Sequence, residues 1–146
     1  MKSGHEHPPF IIRHVPRRLL LSNLAIPFVW VVAITLSLFL TPDPKGYGTH
    51  QQLWLPPCAF HTLTQKLCPT CGLTTSITYI THGDLASAQK AHAGGLLLFV
   101  YTGAISLTLL CSFLFQFRIV LPSSWLLLIN IMVFGLVIAM GVFRWL

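Results

Sequence analysis

The chain has 146 residues, of which 54% are hydrophobic and only 8% are charged, and its mean hydropathy is +0.74. Soluble domains carry about 25% charged residues, so this composition excludes an ordinary soluble domain and indicates a protein of the lipid bilayer. The formal net charge is +6, but the cations do not form the basic stripe that is typical of a nucleic-acid-binding surface. We therefore expect a bilayer as the surroundings and no nucleic acid as a partner.

The N-terminal part of the chain predicts a basic tail followed by a membrane span. Residues 1–18 are polar and are expected to lie in the cytoplasm, and residues 19–146 are expected to form one membrane domain. Residues 19–40 are 22 consecutive residues without a charge, and about 20 such residues cross a bilayer. A cleavable signal peptide has a shorter apolar core of about 7–15 residues and a small-residue cleavage site, so we interpret this segment as a retained span.

Residues 41–93 hold most of the polar part of the chain. Its first residues are rich in proline and glycine and predict successive turns. After them, apolar residues at helical spacing predict a short amphipathic helix that starts near Pro69 or Thr70. Gly83 is expected to end this helix, and Asp84 is expected to cap the next one. This segment therefore reads as an outer loop followed by a short helix.

The C-terminal half predicts two further spans. Leu85 to Phe117 is expected to be one long helix that crosses the membrane over residues 94–117, and the third span is expected at residues 125–145. Gly135 and Ala139 form a small-residue face that another helix can approach closely, from a second copy or another subunit. Asn130 is expected to pair with a neighbouring helix, because a transport path normally shows several polar groups.

Together these segments predict an all-α integral membrane protein with three transmembrane helices plus a short amphipathic helix after a cysteine-containing outer loop. The orientation follows from the cations. Four of the nine lie before residue 19, and lysine and arginine favour the cytoplasmic side. We therefore expect a cytoplasmic N-terminus in a bacterial inner membrane, with the cysteine loop in the periplasm.

The outer loop holds the residues with the most specific chemistry. Cys58, Cys68 and Cys71 fall within fourteen residues, and three interpretations stand. A structural disulfide would pin the loop. A zinc-like site would use the three thiolates and a histidine, for which His50, His61, His82 and His92 are candidates. The C-P-x-C pair at a helix N-terminus is also typical of thiol oxidoreductases, with Cys58 as a relay thiol.

The loop resembles a bacterial family of small membrane proteins known as domain of unknown function 2752. The residues that carry the resemblance lie between about 41 and 95 and centre on the segment Cys68-Pro-Thr-Cys71-Gly-Leu-Thr. The family residues matched in this chain are His50, Cys58, Cys68, Cys71, Gly72, Thr74, Gly83 and Asp84. Family members follow the Gly-Asp-Leu segment with Asn-Pro or His-Pro, whereas this chain has His92-Ala93. The resemblance implies that the loop is the site, and it implies no activity, substrate or cofactor.

From these observations we expect a non-enzymatic accessory or interaction subunit of a membrane assembly, with a loop that the cysteines stabilise. The alternative is a membrane protein for thiol–disulfide exchange or for binding a metal such as zinc. A transporter is disfavoured, because the predicted spans hold no ionisable group away from their ends.

Overall fold

The computed structural model describes residues 11–13, 15–119 and 122–143. Residues 1–10 and 14 of the predicted tail and the predicted end of the third span lie outside these ranges. The elements, in chain order, are β1 Ile11–Arg13, α1 Arg17–Leu20, a 3-10 turn Leu21–Leu24, α2 Ala25–Phe39, a 3-10 turn Thr49–Leu53, α3 Ala59–Thr64, α4 Leu73–Thr81, α5 Leu85–Ala91, α6 Gly94–Phe115, β2 Phe117–Ile119 and α7 Ser123–Val142.

Three of the helical segments are long and apolar enough to cross a membrane. They are Leu21–Phe39 with 19 residues, Gly94–Phe115 with 22 and Ser123–Val142 with 20. The described chain is otherwise built of short helices and turns, apart from one antiparallel pair of three-residue strands, β1 and β2. The predicted fold class, an all-helical membrane protein with three spans and a short helix after the cysteine loop, is confirmed.

Many of the buried positions in the described chain are hydroxyl residues, whereas many large apolar side chains face outwards. Large apolar side chains such as Phe28, Phe39 and Met132 are exposed on the helices, where hydrocarbon can cover them. The buried positions include small hydroxyl residues, such as Thr75 and Ser76, beside apolar ones such as Leu20 and Val137. Such residues let helix backbones approach closely and form hydrogen bonds across the interface.

The helices pack around α6. This central helix contacts α2 on one side and α7 on the other, whereas α2 and α7 do not contact each other in the part of the chain that the structure describes. Helix α4 packs against α5, α6 and α2, and thereby covers the end of the bundle from which the cysteine loop emerges.

The structure differs from the predicted single helix over Leu85 to Phe117, which is broken at His92. The backbone there is extended, with φ −163° and ψ 114°, so α5 and α6 are separate helices. The break is stabilised from α4, because the Ser76 hydroxyl lies 2.8 Å from the Ala88 carbonyl and 3.2 Å from the His92 carbonyl. The chain therefore bends at His92 although proline does not follow it.

Different segments of the chain meet at the two ends of the bundle. At one end, β1 pairs with β2, so that Ile12 lies opposite Arg118 and the N-terminal strand meets the turn before α7. At the other end, Gly141 of α7 packs directly against the backbone of Pro69, so closely that a Cβ atom would overlap the Pro69 carbonyl. The cysteine turn and the C-terminal end of α7 therefore share one side, and the N-terminal strand and the turn before α7 share the other.

Candidate functional site

The three loop cysteines come together at the end of the bundle. Cys58 is the residue before α3, and Cys68 and Cys71 lie in the turn that leads into α4. That turn is closed by a hydrogen bond from the Cys71 amide to the Cys68 carbonyl, at 3.0 Å. The three sulfur atoms all lie within 4.8 Å of one another, and each side chain is partly buried.

The closest pair of sulfurs belongs to Cys68 and Cys71, which are 2.9 Å apart. A disulfide bond is about 2.05 Å long, so this pair is not bonded. Two thiolates on one tetrahedral zinc ion, each about 2.3 Å from it, would lie roughly 3.8 Å apart. The observed separation lies between these two values, and the two thiols are in direct contact through a hydrogen bond.

The pKa values of Cys68 and Cys71 shift in opposite directions. Burial raises the pKa of Cys68, but hydrogen bonds from Cys71 and Thr70 outweigh it and lower the pKa from 9.0 to about 7. Burial together with the hydrogen bond to Cys68 raises the pKa of Cys71 to about 12. Because the Thr70 hydroxyl also lies 3.3 Å from the Cys68 sulfur, the thiolate of the pair belongs to Cys68. Only a thiolate is a nucleophile or a metal ligand.

The sulfurs line a cavity of about 200 Å³. Its lining also includes Tyr47, Gly48, His50, Gln51, His61, Thr70, Gly72 and Thr74. The space is large enough for several water molecules or a small group of a partner. The thiol cavity is separate from the grooves between the spans, whose linings include no cysteine among the described residues.

The four candidate histidines are distributed differently from what the sequence suggested. His50 and His61 line the thiol cavity, but neither joins the set of mutually close ligand atoms, which contains only the three sulfurs among the described residues. His61 stacks edge-on against Tyr47 at 5.1 Å. His82 and His92 contact backbone carbonyls, those of Thr78 and Pro69, each at 2.8 Å.

Gly72 allows the loop to close over the cysteine turn. Its backbone has φ +96°, a conformation that side chains with a Cβ rarely adopt, and a Cβ atom would overlap the carbonyl oxygens of Ala91 and Gly46. The loop is fixed further by Thr49, whose hydroxyl donates to Thr75 at 2.8 Å and accepts from the Asp43 amide at 3.1 Å. The left-handed glycine thus brings the cysteine turn, the end of α5 and the loop into contact.

Gly83, Asp84 and Thr74 complete the set of residues that match the family, and the first two lie at helix ends. Gly83 has φ +84° at the end of α4 and meets no other group within 4 Å. The Asp84 carboxylate accepts from the Ser87 amide at 2.9 Å at the start of α5, and hydrogen bonds from Ser87 lower its pKa. The exposed Thr74 lies at the cavity edge. Gly83 and Asp84 are thus helix caps, and neither lines the thiol cavity.

Sequence reasoning missed several residues that hold the site. Thr49, Thr75 and Ser76 are fully buried, and their hydrogen bonds join segments that are far apart in the chain. The sequence suggests His92 as a candidate metal ligand, whereas in the structure its ring binds the Pro69 carbonyl. The available signal was the row of hydroxyl residues Thr74-Thr75-Ser76 on a helix next to the cysteines, which is unusual in an apolar chain.

Comparison with known proteins finds a family match that includes the three loop cysteines. Residues 58–106, about a third of the chain, match a family described as "Protein of unknown function (DUF2752)". This match confirms the family resemblance and covers the cysteines, α4, α5 and the first half of α6. No curated protein and no solved structure matches the chain.

Proposed function

We propose that this membrane protein is a thiol–disulfide exchange centre that reacts with a disulfide or dithiol of a partner protein. The observation that supports the proposal most is the unbonded pair Cys68 and Cys71 at 2.9 Å, with the sulfur of Cys58 in the same group. The unequal pKa values support it further, because a nucleophile and a resolving thiol need opposite protonation states.

The reaction starts at the Cys68 thiolate, which attacks one sulfur of the partner disulfide. That S–S bond breaks, a mixed disulfide forms, and the other partner sulfur leaves as a thiolate. Cys71 then gives its proton to this thiolate and attacks Cys68, which forms the Cys68–Cys71 disulfide and releases the second partner sulfur as a thiolate. Two electrons pass to the partner, and the reverse sequence oxidises a partner dithiol. The direction follows the difference in reduction potential.

Cys58 gives the centre a third thiol. Its sulfur lies within 4.8 Å of the other two, so it can attack the Cys68–Cys71 disulfide once its own proton has left. The product is a disulfide to Cys58 and one released thiolate. In this way the disulfide moves to Cys58, where it can exchange with the thiols of a different partner.

Trapping of the mixed disulfide tests the proposal. Both variants are made in a Cys58→Ser background, so that Cys58 cannot resolve the mixed disulfide in place of Cys71. In Cys71→Ser, incubation with glutathione disulfide should then leave glutathione on Cys68, a mass increase that intact-protein mass spectrometry detects. Cys68→Ser is the matched control and should retain little of the label. Equal labelling of both variants, or labelling of neither, would contradict a nucleophilic role for Cys68.

Metal binding is the second candidate, and a specific observation favours it. Three sulfurs that could hold an ion share a cavity with His50 and His61, which are the donor types of a zinc site with three cysteines and one histidine. Bound zinc would deprotonate the thiols and pull the sulfurs apart. One zinc per chain after purification without chelator, lost in Cys58→Ser, would support this candidate over disulfide exchange.

The expected accessory role in a membrane assembly remains a proposal with separate support. Gly135 and Ala139 are exposed on α7, and nothing lies within 4 Å of a Cβ atom placed on Gly135. Such a face accepts a further helix. We also propose that the N-terminus lies in the cytoplasm of a bacterial inner membrane and that the thiols lie in the periplasm. The proposal rests on the positive charges, because β1 brings Arg13 to the same end of the bundle as Arg118.

A further inference from the structure

Large apolar side chains are exposed on the loop that carries the cysteines. Trp54 is 98% exposed and Leu63 of α3 is 84% exposed. With Leu53, Leu55 and Phe60, which are exposed to a smaller extent, they form what we call the loop patch. Phe60 and Leu63 are three residues apart and therefore lie on one face of α3. The loop patch lies outside the three candidate spans, so contact of the spans with lipid does not account for its exposure.

The backbone at Trp54 is unusual for so large a side chain. Its φ is +60°, in the left-handed region that glycine and asparagine favour. The conformation is fixed by a hydrogen bond from the Trp54 amide to the Gln51 carbonyl, at 3.0 Å. A strained residue at a surface points to a use for its side chain, and here the indole ring lies almost completely outside the fold.

A pair of hydrogen bonds holds the loop patch at the end of the first span. The Gln52 side chain donates to the Thr41 carbonyl at 2.6 Å and accepts from the Thr41 amide at 3.1 Å. Thr41 is two residues beyond Phe39, the exposed last residue of that span. Trp54 is two residues beyond Gln52, so their Cα atoms are separated by no more than about 7 Å. The loop patch therefore lies close to the point where the first span leaves the membrane.

The polar side chains of α3 form hydrogen bonds within their own segment. The hydroxyls of Thr62 and Thr64 donate to the carbonyls of Cys58 and Phe60, at 3.1 and 2.7 Å. The side-chain amide of Gln65 donates to the Thr62 carbonyl at 3.1 Å. Polar groups that are paired in this way lose little free energy when they leave water. Helix α3 is therefore suited to a layer in which water is scarce.

We propose that the loop patch inserts into the headgroup layer of the same bilayer, beside the end of the first span, and anchors the cysteine loop to the membrane surface. Tryptophan favours this layer, where its ring meets apolar chains and its N–H meets polar groups. Residues 49–65 contain no Asp, Glu, Lys or Arg, and Lys45 and Lys66 lie on either side of them, where their ammonium groups can reach the headgroups.

Lipid fits the loop patch better than a protein partner does. The Gln52 clamp holds the patch beside the first span whether or not another protein is bound. The patch is thus continuous with a surface that lipid covers. This anchoring is independent of the proposed thiol exchange.

The fluorescence of Trp54 tests the proposal. In the full chain, Trp30, Trp125 and Trp145 are replaced by phenylalanine, and the protein is placed in phosphatidylcholine nanodiscs with or without bromine atoms near the headgroup end of the acyl chains. We expect the brominated lipid to remove most of the Trp54 emission and acrylamide in the water to remove little. Quenching by acrylamide but not by brominated lipid would overturn the proposal and leave the loop patch open to a protein partner.

A second measurement covers the case in which these three replacements prevent folding. The difference in quenching between the native chain and Trp54→Phe then reports on the same side chain. Because Trp54 is almost fully exposed, its replacement leaves the packing of the fold intact. Equal quenching of the native chain and Trp54→Phe by brominated lipid would overturn the proposal.

The variant Gln52→Ala tests the clamp. It removes both hydrogen bonds to Thr41, so the quenching of Trp54 by brominated lipid should fall several-fold. Gln65→Ala is the matched control, because the Gln65 side chain donates to Thr62 of the adjacent helix α3 and not to the span, and it should leave the quenching unchanged. Equal quenching of the two variants would overturn the placement of the loop patch beside the first span.

Discussion

The ring of His92 ties the cysteine turn to the junction between α5 and α6. Its Nδ1 accepts a hydrogen bond from the Gly94 amide at 3.1 Å, and its Nε2 lies 2.8 Å from the Pro69 carbonyl. Because Nδ1 accepts from an amide, the neutral ring carries its proton on Nε2 and donates it to Pro69. His92 is 1% exposed, so a buried side chain holds Pro69, the residue that follows Cys68, in place.

We expect His92→Ala to destabilise the protein and to loosen the cysteine turn. The change leaves the Gly94 amide and the Pro69 carbonyl without these partners, and the cost is about 1–3 kcal/mol for each buried group. Thermal unfolding in detergent should show that the free energy of unfolding falls by about 2–6 kcal/mol. His82→Ala is the control, because His82 is exposed, and should cost far less. Equal unfolding temperatures for the two variants would contradict the role of His92.

Gly72 and Gly83 form a matched pair for testing close packing at the site. Both have a left-handed backbone, but a Cβ on Gly72 would overlap two carbonyl oxygens, whereas a Cβ on Gly83 would meet nothing within 4 Å. Gly83→Ala should therefore cost about 1 kcal/mol from backbone strain alone. Gly72→Ala should cost several-fold more and alter the reactivity of the thiols. Similar losses for both variants would show that space at Gly72 is not limiting.

The parts of the fold that local sequence determines could be predicted. The three spans follow from uncharged runs of about 20 residues, and Asp84 caps α5 because a carboxylate accepts from the amide three residues on. The proximity of Cys68 and Cys71 follows from the turn between them. Each of these features depends on neighbours in the chain.

The features that could not be predicted depend on contacts between distant segments. Residues 85–117 carry a helical pattern throughout, and the break at His92 is stabilised by the Ser76 hydroxyl from another helix. The position of Thr49 depends on Thr75, 26 residues further along the chain. Neither contact has a periodic signature, because a single hydrogen bond between distant segments leaves no pattern in one sequence.

The alkylation rate of Cys68 should depend on pH with a midpoint near its pKa of about 7. The thiolate is the reactive form, so the rate with iodoacetamide should rise as the pH rises through 7 and level off above 8. Because Cys71 helps to lower this pKa, Cys71→Ala should move the midpoint to higher pH. Peptide mass spectrometry after short exposures distinguishes the cysteines. An unchanged midpoint in the variant would contradict the role of Cys71 in lowering the pKa of Cys68.

Gly135→Leu should weaken association with another helix and leave the protomer folded. A Cβ atom at this position would meet no described residue within 4 Å, whereas the leucine side chain would obstruct a helix that packs on this face. Native mass spectrometry in mild detergent measures the change in oligomer or complex. Leu128→Phe is the control on an exposed part of the same helix. A protein that is monomeric before and after the change would remove the support for assembly through this face.

The orientation of the membrane domain should place the thiols outside the cytoplasm. The structure puts the cysteine turn and Gly141 at one end and pairs Ile12 with Arg118 at the other. Cations near span ends favour the cytoplasm, so a membrane-impermeant maleimide should label Cys68 in intact spheroplasts, in a Cys111→Ser background that removes the thiol of the second span. A reporter fused after residue 146 should behave as periplasmic. Labelling only after the spheroplasts are lysed, together with a cytoplasmic reporter, would invert the topology and place the thiols in a reducing compartment.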